Sequence, residues 1–305
     1  MLNEDGTVTG ELIPSLFPLI LNMTACATQE EMNANVNATR ERGYKGLIPL
    51  LGTCSGDVSI CGSGPSLAET CHDLIGDVLA INQAIGYLLG RGIVPKWAML
   101  WDAAEVVEQF AVPHPEVHYL VAARCHPKVF KRLKDCKVTV WFAGGDHNIA
   151  EYMKEYELDD PLVNGGSAGV TRALYLAPSL GYSKLHVFGG DSSYSEDGRT
   201  HVIGSLVQEK EFHAWIGNGD GKKLFRTTPE WCSQVEEFRD IYHLFTHPKL
   251  TIKIEAHGDG MLPHMWRLMR MKEEAGKLWN ADGTPINAAH QVQEITATKE
   301  GAVKC

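Results

Sequence analysis

No two of the eight cysteines form a C-x-x-C pair and none stands at zinc-finger spacing to a histidine, so neither a redox dithiol nor a zinc ribbon is encoded. An excess of positive charge is also missing. Lys and Arg total 28 against 38 Asp and Glu, and the formal net charge of −10 would repel a phosphate backbone, which argues against nucleic acid as a partner. The one dense basic stretch, "KVFKRLKDCK" (128–137), reads as the solvated side of a helix end. There is no long unbroken apolar run. "LIPSLFPLILNMT" near the N-terminus is interrupted by two prolines and follows acidic residues, so it is too short to span a bilayer and is not built as an export signal. Reduced thiols in a cytoplasm are the expectation. Internal repeats and low-complexity tracts are lacking too, and 44% hydrophobic with 22% charged residues over 305 positions is ordinary globular composition.

What is present is alternation. "TQEEMNANVNATRERGY" (28–44) predicts a helix opened by a Thr-x-x-Glu capping box. After it, short apolar runs ("DVSIC", "DVLAIN", "KWAMLWDA", "VHYLVAA", "KVTVWFAGG", "KLHVFGGDSSY", "KLTIKIEAHGDG") alternate with helix-patterned ones. The latter are "PSLAETCHDL", "QAIGYLLGRG", "AEVVEQF", "PKVFKRLK", "NIAEYMKEY", "NGGSAGVTRALYLAPSLGY", "PEWCSQVEEFRDIYHLF" and "MLPHMWRLMRMKEEAGKLW". This is the pattern of a Rossmann-like α/β fold, a mostly parallel sheet with helices on both faces. Residues 195–228 break the alternation with turn dipeptides and hairpin-like pieces, as a lid-like insertion would. The expected organisation is an N-terminal helical or extended segment (1–55), a Rossmann-like domain (56–280) and a polar tail (281–305).

Ligands of such sheets sit beyond the carboxyl ends of the strands, and the strand exits here are polar and rich in glycine: "CGSGPS", "INQ", "LWDA", "FAGGDHN", "FGGDSSY" and "AHGDG". The first lacks the third glycine of a dinucleotide fingerprint, which argues against a standard NAD site. Gly62, Ser63, Gly64, Pro65 and Ser66 still make a physical anion cradle at the start of a helix; a tight strand-to-helix corner explains them equally well. Asn164, Gly165, Gly166 and Ser167 precede another helix and suit a sugar or phosphate oxygen, or simply close helix packing. Asp102, Asp146 and Asp191 end strands and are suited to ligand binding or to capping. His147, His186 and His213 read as structural or solvated. Trp101, Trp141 and Trp215 could stack on a flat ring or fill the core.

The succession "VSICGSGPSL", a strand ending in Asn82, one ending in "WDA", then "WFAGGDHN" and "NGGSAGVTRALYLAPSLGYSKLHVFGGDSSY" resembles the 6-hydroxymethylpterin-diphosphokinase-like family over roughly residues 56–260. That family includes archaeal pterin diphosphokinases and motility-accessory-factor glycosyltransferases, and its glycine-rich nucleotide loop is similar to that of bacterial sialyltransferases. Phage-encoded relatives are similar in an Asp-x-Ser-Tyr exit, a Thr-His pair and a late His-Gly-Asp-Gly, here Asp191 to Tyr194, Thr200-His201 and His257 to Gly260. The resemblance implies a transferase that holds a nucleotide or nucleotide-sugar donor on Gly62 to Ser66, Asn82, Asn164 to Ser167 and Asp191. It leaves the acceptor open, and it leaves two chemistries open. A diphosphokinase needs Mg²⁺ on one or two carboxylates, for which Asp102 and Asp146 are the candidates. A glycosyltransferase with a CMP-type donor needs less metal but requires a base for the acceptor hydroxyl, for which His201 and His257 are suited. The lone Asp102 at its strand exit favours the glycosyltransferase; a nucleotide-binding module without catalysis is the third alternative.

Overall fold

The computed structural model describes residues 27–276 apart from 145–148, 150–152, 155–158, 205–210 and 218–220. The strands are β1 Asp57–Cys61, β2 Asp77–Ile81, β3 Trp97–Leu100, β4 His118–Ala122, β5 Lys137–Ala143, β6 Leu162–Val163, β7 Lys184–Phe188, β8 Phe212–Ile216, β9 Lys223–Thr227 and β10 Lys253–Ala256. Eight of them form one sheet in the order β10-β7-β1-β2-β3-β4-β5-β6, with every pairing parallel. Every residue of β3 and β4 is buried, as is every residue of β1 after Asp57. Successive side chains point to opposite faces, so a strand buried at each residue must be covered on both sides. This is the Rossmann-like α/β architecture that the alternation predicts.

The helices are α1 Gln29–Glu41, α2 Leu67–Thr70, α3 Gln83–Leu89, α4 Pro127–Arg132, α5 Gly169–Leu180, α6 Pro229–Phe245 and α7 Met261–Glu274. The capping box of α1 forms as predicted: the Thr28 hydroxyl accepts the Glu31 N–H, and the Glu31 carboxylate accepts the Thr28 N–H at 2.7 Å. Asn35 and Thr39 of α1 then donate to the carbonyls of Arg124 and Ala123 just past β4, fixing the helix against the sheet.

Two helix expectations shorten. "PSLAETCHDL" yields only the single turn α2, because the following chain is drawn back to β1 by Ser59, whose hydroxyl accepts the Ile75 N–H and donates to the Ile75 carbonyl. "AEVVEQF" forms a 3-10 helix over Glu105–Phe110. Most of "NIAEYMKEY", and all of the 281–305 tail, lie outside the described residues. The insertion after β7 carries an irregular turn over 195–204 and the antiparallel hairpin β8–β9. Among the described residues no helix is long and apolar enough to cross a membrane, and the six cysteines are free thiols.

Chain order makes β1 the hinge of the sheet. From β1 the chain steps outward through β2 to β6, then returns so that β7 pairs with the other edge of β1. This switch of direction at β1 marks the carboxyl ends of β1 and β7 as the general location of ligand sites in open parallel sheets.

Candidate functional site

Both exits at this switch point are glycine-bearing, and they pack on each other. The N–H groups of Gly62 and Gly64 donate to the carbonyls of Phe188 and Gly189, each at 2.8 Å, and the Ser66 N–H donates to Asp191 Oδ2 at 3.0 Å. A Cβ added to Gly64 would lie 2.2 Å from Asp191 Oδ2 and 2.7 Å from the Gly189 carbonyl oxygen; one on Gly62 would lie 2.5 Å from that same oxygen. The glycines are thus required by the contact between the two loops. Pro65 and Ser66 are buried, and α2 is too short to focus a dipole on an anion. The expected cradle at the start of α2 is occupied by protein groups, and of the N–H donors of residues 62–66 only that of Ser63 has no protein partner among the described residues.

A crevice of about 190 Å³ opens above this contact. Gly62, Ser63 and Gly64 form its floor with Gly189, Gly190 and Asp191; Asn82 stands on the β2 side. The first turn of α5, Gly169 to Thr171, forms another wall, and its N–H groups have no carbonyl in their own helix. Twelve residues long, α5 turns its positive end toward the crevice. Thr200 and His201 of the insertion close the space, and Trp231 and Gln234, three residues apart on α6, line it from the far side. Among the described residues only Asn82 (φ 47°, ψ −118°) and Ser192 (φ 51°) combine a side chain with positive φ, and both line this crevice. Such backbone strain costs on the order of 1–3 kcal/mol per residue and gathers at functional sites. The Asn82 Oδ1 atom is buried with no protein partner among the described residues.

The insertion is tied across the opening. Val202 N–H donates to the Ser63 carbonyl at 2.8 Å, and Gln83 Nε2 donates to the Ile203 carbonyl at 3.0 Å. These two bonds hold His201 over the floor. Its Nδ1 is 3.0 Å from the Thr200 hydroxyl, and burial lowers the pKa of the ring below the ordinary histidine value.

Other residues singled out by the sequence lie elsewhere. Asp102 lies two residues past β3, which is two strands from β1, and its carboxylate accepts the Ala104 N–H at 3.3 Å; it does not line the crevice. Asp146 lies outside the described residues. Asn164 to Ser167 form the approach to α5 and do not line the crevice either. Gly165 and Gly166 adopt positive φ, and the Ser167 N–H and hydroxyl both donate to Glu237 Oε2 of α6 at 2.8 and 2.9 Å, so a protein carboxylate occupies that turn. His257 stacks on Phe188 with ring centroids 4.2 Å apart and faces His186, away from the crevice lining. Of the tryptophans, Trp141 is core, Trp215 is on the hairpin, and Trp101 lies beneath the guanidinium groups of Arg124 and Arg172. Trp231, Gln234 and the first turn of α5 are among the lining groups that sequence reading does not single out. The Thr228-Pro229 start of α6 and the "SAGVT" start of α5 were the available signals.

Asp191 is the one carboxylate among the described lining residues. It is 4% exposed, and burial raises its pKa against the lowering effect of its bonds to Ser66, with Glu69 and Asp259 adding repulsion. A carboxyl whose pKa is raised by folding contributes stability below its unfolded value of 3.8, and that contribution is lost as pH rises through the folded value. Asp191→Asn keeps an acceptor for the Ser66 N–H without the charge, so its stability relative to the parent is expected to be greater at pH 7 than at pH 4 in urea unfolding. An offset that does not change with pH would contradict a buried, burial-strained carboxylate. Gly64→Val is expected to lose about 1–3 kcal/mol or more of stability, because the new side chain meets backbone and Asp191 rather than open space. An unchanged urea midpoint would refute that packing role.

No curated protein matches the chain at a significant level. Among solved structures, the MAf glycosyltransferase of Magnetospirillum magneticum AMB-1 is similar at 14% identity with a TM-score of 0.51, over 81% of this chain and 42% of that one. The chain thus spans less than half the length of that glycosyltransferase, and the likeness is one of fold. The sialyltransferase CstII of Campylobacter jejuni, solved with the substrate analogue cytidine-5'-monophosphate, has 17% identity and a TM-score of 0.34, over 68% of this chain and 86% of that one. The protein family described as 6-hydroxymethylpterin diphosphokinase MptE-like matches residues 32–197, more than half of the sequence, and the chain belongs to that family.

Proposed function

We propose that the protein is a glycosyltransferase whose donor is a nucleotide-activated sugar with a single phosphate, of the CMP type, bound in the crevice above the contact of the β1 and β7 exits. One observation carries this reading: the described residues lining the crevice include no Lys or Arg. A triphosphate in such a place would need cationic side chains, or Mg²⁺ on a carboxylate pair, to offset its charge. A single phosphate can be held by neutral donors, and these are what the crevice offers: the Ser63 N–H and hydroxyl and the first N–H groups of α5. The Mg²⁺ expected of a diphosphokinase fits the described residues poorly. Asp102 does not line the crevice and is engaged by Ala104, while Asp191 is buried, bonded to Ser66 and opposed in its ionisation.

His201 is the proposed general base. With Nδ1–H donating to the Thr200 hydroxyl, Nε2 carries the lone pair, and the lowered pKa keeps that lone pair available at neutral pH. Nε2 accepts the proton of the acceptor hydroxyl as its oxygen attacks the anomeric carbon; the bond from that carbon to the phosphate oxygen breaks, and the nucleotide leaves with the electron pair. The tethers from Ser63 and Gln83 bring the base over the donor when the insertion is closed.

In a transfer assay with CMP-activated sugars, His201→Ala is expected to lose on the order of 10²-fold or more in kcat with donor affinity little changed. The acid limb of the parent's kcat profile is expected below pH 6.5, because burial disfavours the imidazolium. Full turnover in His201→Ala would remove the base assignment, and pterin diphosphorylation from ATP in place of sugar transfer would remove the reading as a whole.

A further inference from the structure

Outside the crevice, β7 and β10 carry a second cluster of chemically capable side chains. His186 and Glu255 are register partners on these neighbouring parallel strands, and His257 follows Glu255 by two residues, which returns it to the same face of the sheet. His186 Nδ1 lies 3.4 Å from His257 Nε2 and 3.6 Å from Glu255 Oε2, and the three ligand atoms are all within 4.8 Å of one another. Bonds of about 2.0–2.1 Å to one tetrahedral ion require ligand separations of roughly 3.3–3.5 Å.

The surroundings of His186 fix which of its nitrogens faces the cluster. Its Nε2 is 3.0 Å from Asp57 Oδ1, a carboxylate that can only accept. The Nε2–H therefore points at Asp57, and in the neutral ring the Nδ1 lone pair faces the Glu255 carboxylate oxygen. The His257 Nε2–H can donate to this same Nδ1 lone pair, so two imidazoles and a carboxylate converge on one point, where a cation can take the place of that proton. A carboxylate that orients a histidine through its outer nitrogen is the support that histidine metal ligands ordinarily have. His186 is 5% exposed, so its ring is held by packing, whereas the Glu255 side chain is 41% exposed and leaves a path from solvent.

We propose that His186, His257 and Glu255 form a binding site for a divalent transition cation of the Zn²⁺ type, with Asp57 as the orienting group and a fourth position for water. Two imidazole nitrogens and one carboxylate suit Zn²⁺ or Co²⁺ and not Mg²⁺ or Ca²⁺, which prefer oxygen alone. The charged neighbours are Lys184, 3.5 Å from Asp57 Oδ2, and Arg270, 3.9 Å from Glu255 Oε1; each approaches the carboxylate oxygen that does not face His186. The site bears on the crevice through the next residues of the chain. Gly258 and Gly260 pack so closely on Ser66 and Asp191 that an added Cβ would lie 2.4 Å from the Ser66 hydroxyl and 2.4 Å from Asp191 Cα. A cation on His257 braces the back wall of the crevice.

The test uses the full chain stripped of metal by a chelator and titrated with Co²⁺, with Zn²⁺ and Mg²⁺ followed in parallel by thermal unfolding. One Co²⁺ per chain with visible absorption of tetrahedral strength is expected, together with a rise in Tm on Zn²⁺ addition and none on Mg²⁺ addition. His257→Ala is expected to abolish the absorption while far-UV circular dichroism stays native, and Glu255→Gln and Asp57→Asn are each expected to weaken binding by about 10-fold or more. Absence of the tetrahedral spectrum in the parent would overturn the proposal. A spectrum that persists unchanged in folded His257→Ala and Glu255→Gln would overturn it equally, because the metal would then sit on other groups.

Discussion

Everything at the candidate site depends on how tightly the exits of β1 and β7 are pressed together. Parallel pairing in register from Asp57↔Lys184 to Cys61↔Phe188 delivers the two exits side by side, and the hydrogen bonds from Gly62, Gly64 and Ser66 to Phe188, Gly189 and Asp191 continue the pairing past the end of the sheet. No room remains for a Cβ at Gly62 or Gly64. Asp191 is the rivet of this contact: it accepts from Ser66, its carbonyl accepts the Leu262 N–H, and Gly260 rests on its Cα. A buried carboxylate is an expensive rivet, since burial opposes its charge. Its position at the meeting point of β1, β7 and the start of α7 explains why an acidic side chain can persist there at 4% exposure.

With the floor fixed in this way, the chemistry of the crevice is decided by what surrounds it. The walls include backbone N–H groups, hydroxyls, Asn82, the buried Asp191 and a histidine whose pKa burial lowers, and cationic side chains are missing from the described lining. Such walls suit the weakly charged donor proposed above, and the two non-glycine residues with positive φ among the described ones, Asn82 and Ser192, both lie in them. The bonds from Val202 to Ser63 and from Gln83 to Ile203 belong to the same design, because they couple the position of the insertion to the glycine floor and place His201 without a rigid element of its own.

Much of this was legible in the sequence. The strand-helix alternation, the buried character of the strands and the capping box at Thr28 are local properties, and local properties are what periodicity reports. The polar exits were readable for the same reason. Strand order was not, since nothing local says that β7 returns to β1, and so sequence order could not tell which of Asp102, Asp146 and Asp191 share a crevice. Gly-Ser-Gly-Pro-Ser suits a phosphate cradle or a tight corner equally well by its local chemistry, but the N–H groups of Gly62, Gly64 and Ser66 are taken by long-range partners at and just past the end of β7 that only folding supplies. His257 reads as one of two candidate bases and His186 as structural or solvated. Cross-strand register joins them, together with Glu255, into one cluster that neither residue announces alone. Glu237 in the turn at Ser167 is another case, a contact between residues seventy positions apart in the chain.

The central claim is that this crevice holds a nucleotide of one phosphate with neutral donors and needs no divalent cation for it. Calorimetric titration of the full chain with CMP and with ATP, each with and without Mg²⁺, addresses it directly. CMP is predicted to bind without Mg²⁺, and more tightly than ATP under either condition. Tighter binding of ATP that appears only when Mg²⁺ is present would contradict the claim, since it would require the carboxylate pair and cationic neutralisation that the described walls of the crevice lack.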